Sequence, residues 1–332
     1  MVVGHLCADL RPKLAGGERI IPGTIAEVGS LEIRAGGCVA NTGGTLAALG
    51  APTSLSADLG DDELGLTTLN SLRQLGANCD GVRQVPGQTT SYSLVFEPPG
   101  DDRCFWHHVG ANACFDGTRV DLDGADLVHV GYPALLPLMY ADAGAHLERL
   151  LARVRETGAT ASLDLSTIAP GSPAAHVDWS SLLQRTVPLV DVFSPSVDDL
   201  ISALRIVRPV SAVEVRALGH RLLSLGAAVV LLTNGALGMH LFTAGEERLS
   251  RSGRCLSELA GSWADAELFF PAATNGPVVT TGAGDAATAG LLYGILTETP
   301  TEKAGSIAAW AAASKVAGLR RLPRYTVAGP IN

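Results

Sequence analysis

Short runs of β-branched and apolar residues alternate along this chain with amphipathic stretches, and that alternation restricts the fold more than any other feature. The runs are MVVGHL (1–6), LVHVGY (127–132), ATASLDL (159–165), LVDVFSP (189–195) and AAVVLLTNG (227–235). Between them lie patterns such as AGAHLERLLARVRETG (143–158) and VEVRALGHRLLSLG (213–226), with apolar residues three and four apart and glycine at the end. Strand alternating with helix predicts an α/β fold: a doubly wound, mostly parallel sheet flanked by helices on both faces. In such sheets ligands bind beyond the carboxyl ends of the strands. Asp9, Asp164, Ser196 and Asn234 all fall where a strand pattern stops, so they are expected along one rim.

Two segments break the rhythm. Residues 11–35 and 88–108 alternate polar and apolar residues and contain turn chemistry, including PPGDD, as antiparallel strands do. They are expected to form a small β-lid inserted in a single domain of 1–332. The stretch 255–277, CLSELAGSWADAELFFPAATNGP, reads as irregular surface chain.

Charge and cysteine usage narrow the function class. A formal net charge of -9 without any Lys/Arg cluster argues against nucleic acid or an anionic membrane surface as partner. Six scattered cysteines without a CxxC pair suggest neither a zinc cage nor a disulfide framework. No run is long and apolar enough to span a bilayer, and the first residues lack the order of a signal peptide. The expectation is a cytoplasmic protein.

The stretch VVTTGAGDAATAGLL (278–292) carries the chemistry. Gly282, Ala283 and Gly284 form a turn into a helix, where backbone N–H groups converge and the helix dipole adds positive charge. That arrangement makes an anion hole. A carboxylate directly behind it, Asp285, is suited to take a proton from a hydroxyl that attacks a phosphoryl group held there. The alternative is that Asp285 merely caps its helix, and Asn41, Gly36 and Gly37 have equally plain readings as a cap and a turn.

The same stretch resembles the carboxy-terminal signature of the PfkB/ribokinase family of carbohydrate kinases, and RAGGCVANTGGTLAALGAPTSLSADLGDDELG (34–65) resembles the amino-terminal one. VVGHLCADL, GDDRCFWHHVGAN and VLLTNGALG extend the resemblance over nearly the whole chain. It implies a ribokinase-like fold and an ATP- and Mg²⁺-dependent kinase acting on a primary hydroxyl of a small sugar or sugar acid. By position, Asp285 matches the catalytic base and 282–284 the anion hole; Asp9, Gly36, Gly37 and Asn41 match the sugar site. Thr233 and Gly235 match residues along the nucleotide, and Arg103 is a candidate contact for an anionic group on the acceptor. The 11–35 and 88–108 segments match a lid that closes over substrate and often clasps a second copy in a homodimer.

Three departures from the family pattern bear on chemistry. Val279 replaces the first acid of the carboxy-terminal signature, which weakens the case for a monovalent cation such as potassium. The family's Asn-x-x-Glu element becomes Ser196-Val197-Asp198-Asp199, leaving Asp199 as an indirect magnesium contact on a shorter arm, and Ala287 stands where the family commonly has Phe. Two other functions stay open: a nucleoside kinase using Phe105 and Trp106 as a base platform, and a catalytically weak sugar or nucleotide sensor.

Overall fold

The computed structural model describes residues 1–332 except 17, 19–20, 99–102, 207–210, 273–280, 319–324, 327–328 and 331–332. Val279 and most of the PPGDD corner therefore lie outside the described residues. The strands in chain order are β1 (Val2–Gly4), β2 (Cys7–Pro12), β3 (Leu31–Gly36), β4 (Ser54–Gly60), β5 (Asn78–Val85), β6 (Tyr92–Phe96) and β7 (Cys104–His108). There follow β8 (Leu127–Gly131), β9 (Thr160–Leu163), β10 (Val192–Phe193), β11 (Val229–Thr233), β12 (Met239–Thr243) and β13 (Glu267–Phe270).

The main sheet runs β13-β12-β11-β10-β9-β8-β1-β4-β5. Every pairing from β5 to β11 is parallel, and β12 and β13 add antiparallel pairings at one edge. Alternate residues of each strand feed two separate cores. Val3, Val130, Leu163 and Val230 pack with Leu147, Leu150 and Val215 from helices on one face. Val2, Leu55, Val229 and Leu231 pack with Leu46, Leu291 and Ala308 on the other. Both faces are covered, as the strand–helix rhythm requires.

From β1 the strand order runs one way through β4 and β5 and the other way through β8 to β11, so the order reverses between β1 and β8. A crevice opens at such a reversal, outside the carboxyl ends of the strands. His5 follows β1, Tyr132 follows β8, Asp164 follows β9 and Thr233 ends β11, which sets all four on that rim.

The smaller sheet runs β3-β2-β6-β7, with β2 parallel to β6 and antiparallel pairs outside. Its first strand begins at Cys7, earlier than the alternation at 11–35 indicates, because the chain leaves the main sheet after Gly4 and re-enters strand geometry two residues past His5. Asp9 thus sits inside the lid, opposite Arg34 and Ser93, and not at the end of a main-sheet strand. Side-chain alternation gives this sheet two unlike faces. Cys7, Asp9, Ser93, His107 and Phe105 share one; Leu10, Ile33, Leu94 and Trp106 share the other.

Of the stretch 255–277, the described residues 255–272 are ordered structure where the sequence reads as loop. It contains helical turns at Arg254–Ser257 and Ala260–Trp263 and the edge strand β13. Trp263 is fully buried and its indole N–H donates to the Thr299 carbonyl at 3.0 Å. Elements of four residues are too short to leave a periodic signal, and this one is held by tertiary packing around a single large side chain.

Candidate active site

The helix Ala283–Leu296 begins at Gly282, whose φ of 77° lies in the left-handed region that favours glycine. A side chain there would also crowd its neighbours. A Cβ would stand 2.9 Å from Lys315 Cε and 3.1 Å from Asn41 Cγ. The helix is rich in small residues because it is pressed against Thr301–Val316: a Cβ on Gly290 would meet Ala308 Cα at 2.7 Å, and one on Gly294 would meet the Ala304 Cβ at 2.5 Å. This close packing brings Lys315, near the end of the second helix, back to the start of the first.

Asp285 is in the first turn of its helix, 2% exposed, and does not cap it. Thr42 Oγ1 donates to its Oδ1 at 3.0 Å and the Tyr132 hydroxyl to its Oδ2 at 2.7 Å. Burial raises its pKa, while those two donors, Lys315 and Asn41 oppose the rise. Each carboxylate oxygen keeps a second lone pair for an incoming proton donor. Ahead of it, the N–H groups opening the helix lack intrahelical acceptors, as in every helix, and are available to an anion.

Asn41 lies within the helix Gly37–Leu49 and does not cap it either; the cap position is Gly36, without a side-chain bond. The Lys315 ammonium donates to Asn41 Oδ1 at 3.4 Å. Burial lowers the Lys315 pKa, and Asp285 and Asp9 counter that. Gly36 and Gly37 are where the lid meets the helix. A Cβ on Gly36 would collide with the Asp9 carboxyl carbon at 2.4 Å, and one on Gly37, at φ 83°, would stand 2.6 Å from His5 Nδ1. Asp9, Gly36, Gly37, Asn41 and the 282–285 turn therefore converge, with Lys315 between the carboxylates.

Asp9 is 8% exposed, and burial raises its pKa from 3.8 to about 6 against the pull of the Cys7 thiol, Arg11 and Lys315. The Cys7 Sγ donates to Asp9 Oδ1 at 3.5 Å. Arg11 is taken by an ion pair to Glu97, whose other oxygen accepts from Thr281 Oγ1 at 2.9 Å, so the end of β6 is tied to the turn before Gly282. Arg103 directly precedes β7, with its guanidinium 5.7 Å over the Phe105 ring.

On the other side of the turn, a Cβ on Gly284 would lie 3.8 Å from Thr233 Oγ1, which puts the end of β11 beside the 282–284 turn. Gly235 follows in open space at the start of a short 3₁₀ turn. Ser196 bridges to Thr233 and caps the helix Val197–Leu204 in a reciprocal box with Asp199. Asp199 accepts from the Ser196 N–H at 2.9 Å and from Thr167 Oγ1 at 3.0 Å. Asp164, 5% exposed, has its pKa pushed well up by burial and by the nearby Asp199 and Asp285 carboxylates. Among the described residues no three His, Cys, Asp or Glu side chains form a metal cage. Hard oxygen donors of this kind fit a Mg²⁺ ion that keeps most of its water and reaches the carboxylates through it.

Sequence reasoning did not find Thr42, Tyr132 or Lys315 as part of this cluster, and it treated His107 as an ordinary lid residue. None sits in a motif of its own; Asp164, directly after a strand pattern, did carry a positional signal.

A family model described as pfkB family carbohydrate kinase matches residues 1–318. A probable chloroplastic fructokinase of Arabidopsis thaliana is 26% identical over 294 residues, 87% of this chain and 68% of its own length. Among solved structures, Arabidopsis thaliana ribokinase complexed with ribose and ATP superposes with a TM-score of 0.70 at 20% identity, covering 95% of this chain and 91% of its own. A Burkholderia thailandensis nucleoside kinase in complex with inosine gives 0.67 at 18% identity, covering 97% and 94%.

The raised pKa of Asp9 has a measurable consequence. An acid whose folded-state pKa exceeds its unfolded value gives its full contribution to stability below the lower value and loses it as pH rises through the upper one. Asp9→Asn is expected to stabilise the fold by about 1–3 kcal/mol at pH 8, with the difference vanishing below pH ~4. Urea unfolding at both pH values checks this, and equal stability of the two proteins at pH 8 would contradict the buried charge.

Proposed function

For this chain, which belongs to the pfkB family of carbohydrate kinases, we propose transfer of the γ-phosphoryl group of ATP to a primary hydroxyl of a small sugar or sugar acid. The acceptor binds beside Asp9, Gly36, Gly37 and Asn41, and the nucleotide lies along Thr233 and Gly235. The observation that carries this reading is a buried carboxylate, Asp285, held by Thr42 and Tyr132 directly behind a glycine-started helix mouth.

In the proposed reaction the acceptor hydroxyl gives its proton to Asp285 as its oxygen attacks the γ-phosphorus. The bond from phosphorus to the β–γ bridging oxygen breaks, and ADP leaves. The N–H groups of 282–284 meet charge developing on the transferring phosphoryl. Asp164 and Asp199 would hold a Mg²⁺ ion accompanying the nucleotide, and that ion would supply charge neutralisation. Lys315 helps keep Asp285 ionised by opposing the effect of its burial. Glu97, tied to both Arg11 and Thr281, links the lid to the phosphate side, so closure of one positions the other. Six unpaired thiols suit work in a reducing cytoplasm.

The nucleoside alternative needs an aromatic platform for the base. Strand alternation turns only Phe105 towards the His107 face, while Trp106 packs edge-on against Phe96 at 5.1 Å on the opposite side. That opposite face also exposes Leu31 at 56% and Ile33 at 39%. A second copy of the chain covering it through the lid would remove this apolar surface from water.

Three outcomes test these proposals. ADP release from ATP and Mg²⁺ across pentoses, hexoses, keto-sugar acids and nucleosides should depend on acceptor and fall at least about 10³-fold in Asp285→Asn with binding largely retained; a variant of near wild-type rate would remove Asp285 from the mechanism. Lys315→Met should raise the Asp285 pKa and so move the acid limb of the kcat/KM profile to higher pH, whereas an unmoved limb would exclude the counter-charge. Sedimentation velocity should show a dimer that Ile33→Glu converts to monomer; a monomeric wild type would refute the clasp.

A further inference from the structure

Beside the Gly36–Gly37 turn stand two imidazoles that the described residues leave unsatisfied. His5, between β1 and β2, is 2% exposed, and neither of its ring nitrogens has a hydrogen-bond partner among the described residues. His107, on the inward face of β7, pairs through Nδ1 with Ser93 Oγ at 3.1 Å, while its Nε2 is buried without a partner. The two rings are 5.2 Å apart. His5 also lies 5.7 Å from the ring of Tyr132, whose hydroxyl is on Asp285, and its Nδ1 stands against Gly37. The pair thus fills the gap between the Gly36–Gly37 turn and the residue that holds Asp285.

Each buried polar atom without a partner costs about 1–3 kcal/mol. Three such nitrogens within one cluster, bordering a crevice at the strand-order reversal, are poor structural elements and good ligand contacts. We infer that His5 and His107 form the far wall of the acceptor site and hydrogen-bond to acceptor hydroxyls, so that the acceptor is an uncharged polyhydroxylated molecule. This rests on the proposed placement of the acceptor beside Asp9 and Asn41.

The charge state follows from the surroundings. Burial, and then each ring's histidine neighbour, holds both imidazoles neutral: His5 falls well below its ordinary range and His107 to about 4. A neutral imidazole presents one donor and one acceptor, which matches a hydroxyl that does both, and it gives a carboxylate or phosphate nothing at its bare nitrogen. Asp9, Asp164 and Asp285 already crowd the site. Among the described residues Lys315 is the cation beside them that has no carboxylate ion-pair partner, since Arg11 is paired with Glu97 and Arg34 with Glu32. An anionic acceptor would bring a further negative charge into that cluster.

Calorimetric titration with D-fructose, D-ribose and D-gluconate tests this without requiring turnover. Fructose or ribose should bind more tightly than gluconate. His5→Phe and His107→Phe should each weaken that binding at least about tenfold, with His5→Gln and His107→Asn partly restoring it, while affinity for a non-hydrolysable ATP analogue stays as in the wild type and thermal stability is no lower. His107, only half-buried on a lid strand, keeps the test valid if the His5→Phe protein does not fold. Gluconate binding best, wild-type sugar affinity in His107→Phe, or no heat with either neutral sugar would overturn the inference. Sugar binding that depends on both histidines without ADP formation would instead leave it standing and refute the kinase reading.

Discussion

A carboxylate buried at the mouth of a helix must be met by polar groups from other parts of the chain, and meeting that requirement at Asp285 organises this molecule. The helix dipole supplies part of the compensation. The rest comes from Thr42, on the helix that follows the lid, and from Tyr132, at the end of β8. Both reach Asp285 because β8 is the neighbour of β1 in the sheet and the Gly37–Leu49 helix packs beside Ala283–Leu296. A different strand order would leave the carboxylate either solvated or unpaired.

Charge density is the second theme. Asp9, Asp164 and Asp285 all have raised pKa values for the same leading cause, burial, and Lys315 is the cation that moderates two of them. Together with three unsatisfied imidazole nitrogens this makes the rim of the sheet locally unfavourable, in contrast to two continuous apolar cores beneath it. Sites that break the local rules of stability while the remainder obeys them are where ligands and chemistry are to be sought. The proposed phosphoryl transfer uses those same groups.

Much of this was legible from residues alone. The strand–helix rhythm indicated the parallel sheet, and the Gly-Ala-Gly-Asp turn indicated an anion site with a carboxylate behind it. The errors are equally physical. Asp9 seemed to end a main-sheet strand because MVVGHLCADL is one apolar run, yet the chain changes sheets inside it, and hydropathy does not register a change of partner. The segment around Trp263 looked irregular because its elements span four residues each. Whether Asp285 or Asn41 merely capped a helix was undecidable from spacing, since a cap and a first-turn residue differ by a few positions that only backbone geometry separates.

By itself the sequence determined the type of the longer periodic elements, the two-faced covering of the sheet and the order of the two signatures, because periodicity, turn residues and small-residue runs act over a few neighbours. Only the tertiary structure decided which distant side chains share the site. Lys315 lies beyond every motif and His5 and Tyr132 stand singly, and each enters the cluster through helix packing or strand adjacency. Those contacts join residues as much as 274 positions apart, a separation across which local pattern carries no information.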